Sequence, residues 1–109
     1  MAWLLRDGEV LAALEIADTR RARRRGLLGR DRMQGALLLR PARAVHTIGM
    51  RFPIDVAFVA ADGLVLDVVT MRRYRLGRPR LRARAVVEAE AGAFGRWRVR
   101  PGDVVEIRG

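Results

Sequence analysis

Hydrophobic residues fall into short runs with a period near two, divided by turn residues, and this pattern predicts strands. Residues 2–5 and 9–17 read as two strands joined by an Asp7-Gly8 turn, with Leu11, Leu14 and Ile16 in imperfect alternation. Asp18-Thr19 offers a helix N-cap ahead of TRRARRRGLLGR, with Gly29 as the residue that ends the helix. Arg23, Arg24 and Arg25 sit late in that helix, where its dipole favours cations, and Ala22, Leu27 and Leu28 are its buried contacts. A buried strand follows at about 35–40, and a polar one at 44–49. The stretch 54–71 reads as a β-hairpin around Asp62-Gly63. Residues 72–84 carry seven arginines with Gly77 and Pro79 and read as an exposed loop. A strand at 85–90, a helical or irregular segment at 91–99, a Pro101-Gly102-Asp103 turn and a closing strand complete the chain. The predicted fold is mostly β (α+β): a small β-barrel or β-sandwich of short strands with two short helices, in one domain over residues 1–109.

Composition excludes more than it assigns. The chain has 109 residues, 50% of them hydrophobic, enough to fill a core without disulfides. Cysteine, serine, lysine and asparagine are absent, and there is one histidine. That removes the commonest nucleophiles, Schiff-base chemistry, a phosphate-loop lysine and a two-histidine zinc motif. No glycine fingerprint follows a strand and opens a helix. No metal or cofactor is therefore expected. The net charge of +10 comes entirely from arginine, which looks in part like the codon bias of a GC-rich genome, yet it still attracts phosphates and acidic surfaces. Asp7 and Glu9 interrupt any leader-like apolar run, and no stretch is long enough to span a membrane, so a cytoplasmic protein is expected.

The segment His46–Asp55 holds the most concentrated chemistry. Pro53 forces Phe52 into extended backbone and suits the first position of a strand. Asp55 follows at the mouth of an apolar strand, where a carboxylate is costly to bury unless paired. It can accept backbone N–H groups or an arginine and fix the start of the hairpin, or it can face a pocket with His46. His46 is able to titrate near neutral pH. Met50 and Phe52 read as core or pocket wall. In the loop beyond, Tyr74 between Arg73 and Arg75 has the aromatic-with-basic pattern of single-strand binders, but one aromatic among seven arginines reads first as a solvated loop. Trp97, between Arg96 and Arg98, reads as a core residue.

The order of these features resembles the DUF192 family of small bacterial and archaeal proteins. The resemblance is carried by Arg24-Arg25-Gly26-Leu27-Leu28-Gly29-Arg30, by Val45-His46 through Pro53-Ile54-Asp55, and by Asp62-Gly63. Val86-Val87-Glu88 with Ala91-Gly92, and Gly102-Asp103, complete it. It runs from about residue 9 to 107 and rests on order and spacing rather than on one motif. His46 stands where many members carry tryptophan, and Gly49-Met50 where many carry Asn-Thr, so no ligand preference is carried over. The resemblance implies a compact β-rich fold with two short helices and no particular reaction. It also implies that Arg25, Asp55 and Glu88 converge, either as a buried structural cluster or as a pocket in which Arg25 holds an anion and a carboxylate orients it.

Three functions follow as expectations. The leading one is a non-enzymatic module binding a small ligand or a protein partner, its site drawn from Arg25, His46, Met50, Arg51, Asp55 and Glu88. The second is binding of nucleic acid or an acidic partner through Arg72, Arg73, Tyr74, Arg75 and Arg78. The third is a carboxylate-dependent enzyme using Asp55 or Glu88 with His46.

Overall fold

The computed structural model describes residues 1–109 as nine elements. They are β1 (Ala2–Arg6), β2 (Glu9–Ala17), α1 (Arg20–Arg25), β3 (Ala36–Leu39), β4 (Ile54–Val59), β5 (Val65–Met71), β6 (Ala85–Glu90), α2 (Ala93–Trp97) and β7 (Val105–Arg108). The strands form one seven-stranded sheet in the order β5-β4-β6-β3-β2-β1-β7. Only β2 and β3 run parallel, and the connection between them carries α1, as a parallel pair requires a crossover.

The sheet curls until its two outer strands meet at one end. Leu64 and Val104 form an isolated antiparallel β-bridge, flanked by Val65 N–H donating to Asp103 O (2.8 Å) and Val105 N–H donating to Gly63 O (2.9 Å). A side chain at Gly63 has no room here. Its Cβ would lie 2.4 Å from the Val105 carbonyl, and its φ is +90°. The same Gly63 that turns the β4–β5 hairpin therefore allows the curl to close. A single curled half-barrel decides between the two architectures the pattern allowed.

Two hydrophobic clusters follow from the period-two alternation. Leu4, Leu14, Leu38, Ala57, Val59, Val65, Val87, Ala89 and Val105 fill the inside of the curl, closed by Phe94 and Val99. Ile54, Val56, Phe58, Val86, Leu37 and Leu39 face outward and are covered by Leu27, Met33, Val45, Met50 and Phe52 from the connecting segments. β4 is thus buried at every position, and it reads in sequence as an almost unbroken apolar run.

Both hairpins, β3 and β6 lie where the pattern places them. Trp97 is half-buried and packs on the inner cluster. Two local expectations need correction, the end of the first helix and the strand at 44–49, while the 72–84 loop is exposed as expected. The first helix is capped by Thr19, whose Oγ1 accepts from Ala22 N–H (3.1 Å), but it ends at Gly26 rather than Gly29. Gly26 has φ +48° and ψ −128°, a conformation that β-carbon-bearing residues avoid, so the helix stops as soon as a glycine is available. Residues 44–49 form no strand. A turn closed by Met50 N–H to Thr47 O (3.1 Å) breaks the segment, and its sole ladder contact is the His46–Leu76 β-bridge. The 72–84 loop is largely exposed yet anchored. The buried Thr47 hydroxyl donates to Arg72 O (2.6 Å) and accepts from Arg75 N–H (2.9 Å). Arg80 pairs with Asp67 (2.7 Å) and lies 4.2 Å above the Phe58 ring. That guanidinium holds the Asp67 carboxyl below its usual range.

Candidate functional site

Two acids are buried in the sheet, and register decides what each one meets. β4 and β6 pair with Asp55 opposite Ala89 and Val56 opposite Glu88. Ala89 belongs to the inner cluster and Val56 to the outer one. Asp55 and Glu88 therefore project to opposite sides of one sheet. The expected convergence of Arg25, Asp55 and Glu88 does not occur, and the two carboxylates have no shared hydrogen-bond reach.

Asp55 is committed to structure. It is 4% exposed, and three donors satisfy it. Gly92 N–H (2.9 Å) and Phe94 N–H (3.1 Å) donate to Oδ2, and the Thr70 hydroxyl (2.7 Å) donates to Oδ1. The carboxylate thereby ties the start of α2 to β4 and β5. Arg51 also stands apart from the other candidates, in an exposed ion pair with Asp31 (2.8 Å).

Glu88 is equally buried, at 4% exposure, but has no such partners. It sits mid-strand in β6, opposite Leu37 of β3 and Val56 of β4. No protein group donates to its carboxylate, and none of the five ion pairs includes it. Burial alone pushes its pKa up to about 7. Its oxygens are not sealed in, since no fully buried side-chain oxygen of the protein lacks a partner.

What the carboxylate reaches is a partly enclosed pocket of about 80 Å³ between the end of α1, the 44–50 segment and β6. Arg23, Arg24, Arg25 and Gly26 form one side, Ala44, Val45 and His46 another, and Leu27, Leu28, Leu39 and Met50 the apolar wall. The two covering turns pack together, since a Cβ at Gly49 would lie 3.4 Å from Leu28 Cδ2. Gly26 lies directly over the acid, since a Cβ there would rest in van der Waals contact with Glu88 Oε1 at 3.9 Å. Arg25, His46, Met50 and Glu88 thus share one site. Gly26, Leu28 and Arg24 belong to it as well. The early helix stop at Gly26 is the sequence signal that would have found them.

The second candidate region is an open groove of about 640 Å³ beside the free edge of β5, lined by Arg72, Arg75, Arg78 and Arg80. Arg80 is held by Asp67, while Arg72, Arg73, Arg75 and Arg78 have no carboxylate partner. Tyr74 is 60% exposed, with the Arg73 guanidinium 5.8 Å from its ring centre. No helix of the protein is long and apolar enough to cross a membrane.

Comparison with known proteins agrees with this architecture. A UPF0127 protein of Thermococcus gammatolerans is 32% identical over 98 residues, covering 84% of this chain. The chain spans 64% of that relative's length. Two crystal structures superpose with a TM-score of 0.81 over 96% of this chain, each at 22% identity, and so share its fold. One is a protein of unknown function from Novosphingobium aromaticivorans, of which 82% is covered. The other is a candidate transcription regulator from Sinorhizobium meliloti, of which 90% is covered. The sequence pattern of DUF192, described as an uncharacterized ACR, matches residues 2–107, and with that span matched the chain belongs to the DUF192 family.

Proposed function

We propose that this protein is a non-enzymatic binding module, and that its site is the pocket over Glu88. The observation that carries this reading is a buried carboxylate with no protein donor, open to a cavity of about 80 Å³. Burying an unpartnered ionisable group costs several kcal/mol, roughly, and buried polar groups are normally satisfied within the protein. A ligand that fills the pocket supplies the missing partner. The volume is well below the roughly 300 Å³ at which pockets for drug-sized molecules begin, so the ligand, or the part of it that enters, is small. A thermal-shift screen of small acids, amines, amino acids and amides tests this, because a ligand raises the melting temperature by mass action. Hits are expected to be lost in Glu88→Leu and weakened in His46→Ala. Hits that survive both changes in folded protein overturn the reading.

A second reading is favoured by the row of arginines without carboxylate partners beside the β5 edge. An extended polyanion, nucleic acid or acidic peptide, fits a groove of that charge, and the exposed Tyr74 offers a stacking face. It predicts affinity that falls steeply with salt and is lost when Arg73, Arg75 and Arg78 are neutralised. Absence of binding at low salt removes it.

A further inference from the structure

The pocket is polarised, with an acceptor inside and cations outside. At its floor, Glu88 offers hydrogen-bond acceptors and is surrounded by Leu27, Leu39 and Met50. At its mouth stand Arg24 and Arg25, exposed and without carboxylate partners. Arg23 is less available, since its guanidinium donates to the carbonyls of Asp18 (3.1 Å) and Arg40 (3.3 Å). His46 is exposed on the opposite lip. We infer that the ligand of this pocket is a small zwitterion of the amino-acid class, its ammonium group donating to Glu88 and its carboxylate lying toward Arg24 and Arg25.

This deepens the binding reading above and rests on it. Each end of the pocket rejects one half of the simpler alternatives. A plain anion entering the pocket meets the Glu88 carboxylate, which repels it once ionised. A plain amine must pass a mouth of like charge. A molecule carrying both groups is attracted at both ends, and the bidentate geometry of arginine suits a carboxylate. Size points the same way, since about 80 Å³ admits an ammonium and a short carbon spacer. Gly26 borders the acid, and a Cβ there would touch Glu88 Oε1 at 3.9 Å and narrow the space beside it.

The charged and titratable groups facing Glu88 are few. α1 brings Arg23, Arg24 and Arg25, and the 44–50 segment brings His46. Along β6, Glu90 is turned to Met33 N–H (3.2 Å), and the flanking residues of β3 and β4 are apolar. An ammonium ligand requires ionised Glu88, whose burial holds its pKa near 7. Amino-acid affinity is therefore expected to rise about tenfold from pH 6 to pH 8.

The test is a two-dimensional NMR titration of the whole protein with glycine, β-alanine, acetate and methylammonium, following the amides of Gly26, Leu27 and His46. At pH 8 the amino acids are expected to bind at least about tenfold tighter than acetate or methylammonium, with the pH effect abolished in Glu88→Gln. Glu88→Gln removes a buried charge and keeps the side-chain shape, so it is expected to fold. The same series in His46→Ala separates imidazole titration from that of the carboxyl. Acetate binding as tightly as glycine, with affinity falling as pH rises, overturns the zwitterion and leaves the pocket reading standing. If none of the four probes moves the pocket amides, both fall.

Discussion

Asp55 and Glu88 are both 4% exposed, lie on adjacent strands of one sheet, and differ in almost everything else. Asp55 accepts two backbone N–H groups and a hydroxyl. Glu88 faces apolar walls and an open pocket, and burial raises its pKa to about 7. Equal burial with opposite satisfaction separates two uses of a carboxylate. The first holds the fold together. The second is costly to the fold, a cost that the proposed ligand-binding role would explain.

The comparison breaks most visibly at Asp55. Asp55→Ala leaves the amides of Gly92 and Phe94 without an acceptor and is expected to cost roughly 4 kcal/mol, read from denaturant melts. A loss under about 1 kcal/mol would mean that α2 is held by Phe94 packing alone.

Glu88→Gln should move stability the other way, and only above acid pH. With a folded pKa of about 7 against 4.5, the native state keeps its proton while the unfolded chain loses it. The Glu88 contribution is therefore undiminished below pH 4.5, falls as pH rises to about 7, and stays low beyond. The variant is expected to match the parent at pH 4 and to exceed it by up to about 3 kcal/mol at pH 8. Parallel melts across pH 4–8 check this, since other titrations cancel in the difference. No gain at pH 8 would place a hidden partner on Glu88.

Gly26→Ala tests the covering turn. The residue is forced into a glycine-only conformation and its methyl enters the pocket, so a loss of about 1–2 kcal/mol is expected together with weaker ligand binding. The smallest effect belongs to Thr70→Val, which removes one of three donors to Asp55 and is expected to cost about 1 kcal/mol with ligand affinity unchanged. A change in affinity there would connect the two faces of the sheet.

The sequence made Asp55 readable in its structural role, because Pro53 and the apolar run of β4 mark a carboxylate at a strand mouth. The hairpins were readable from their Asp-Gly turns, and β6 from its unbroken AVVEAE. Period two also tells that Glu88 shares a face with Val86. It does not tell which face of β4 that is. That depends on Asp55 pairing with Ala89, a register set between strands about thirty residues apart and by nothing local. The same non-local choice parted Asp55 from Arg25 and Glu88. Two glycines, Gly26 and Gly29, both suit a C-terminal cap, and the helix ends at the first, where Gly26 turns to φ +48° and its N–H donates to Ala22 O. Residues 44–49 looked like a strand because their polar alternation is real, but their partners lie in the 72–77 loop, through Thr47.

The binding reading rests on Glu88 being a buried acid that no other group of the protein pairs with. It is tested most directly by titrating the Glu88 side-chain carboxyl by carbon-13 NMR in the absence of ligand. A midpoint near 7 is the predicted result. A midpoint at or below the ordinary 4.5 would show a solvated or paired carboxylate, and would contradict the account of the pocket it faces.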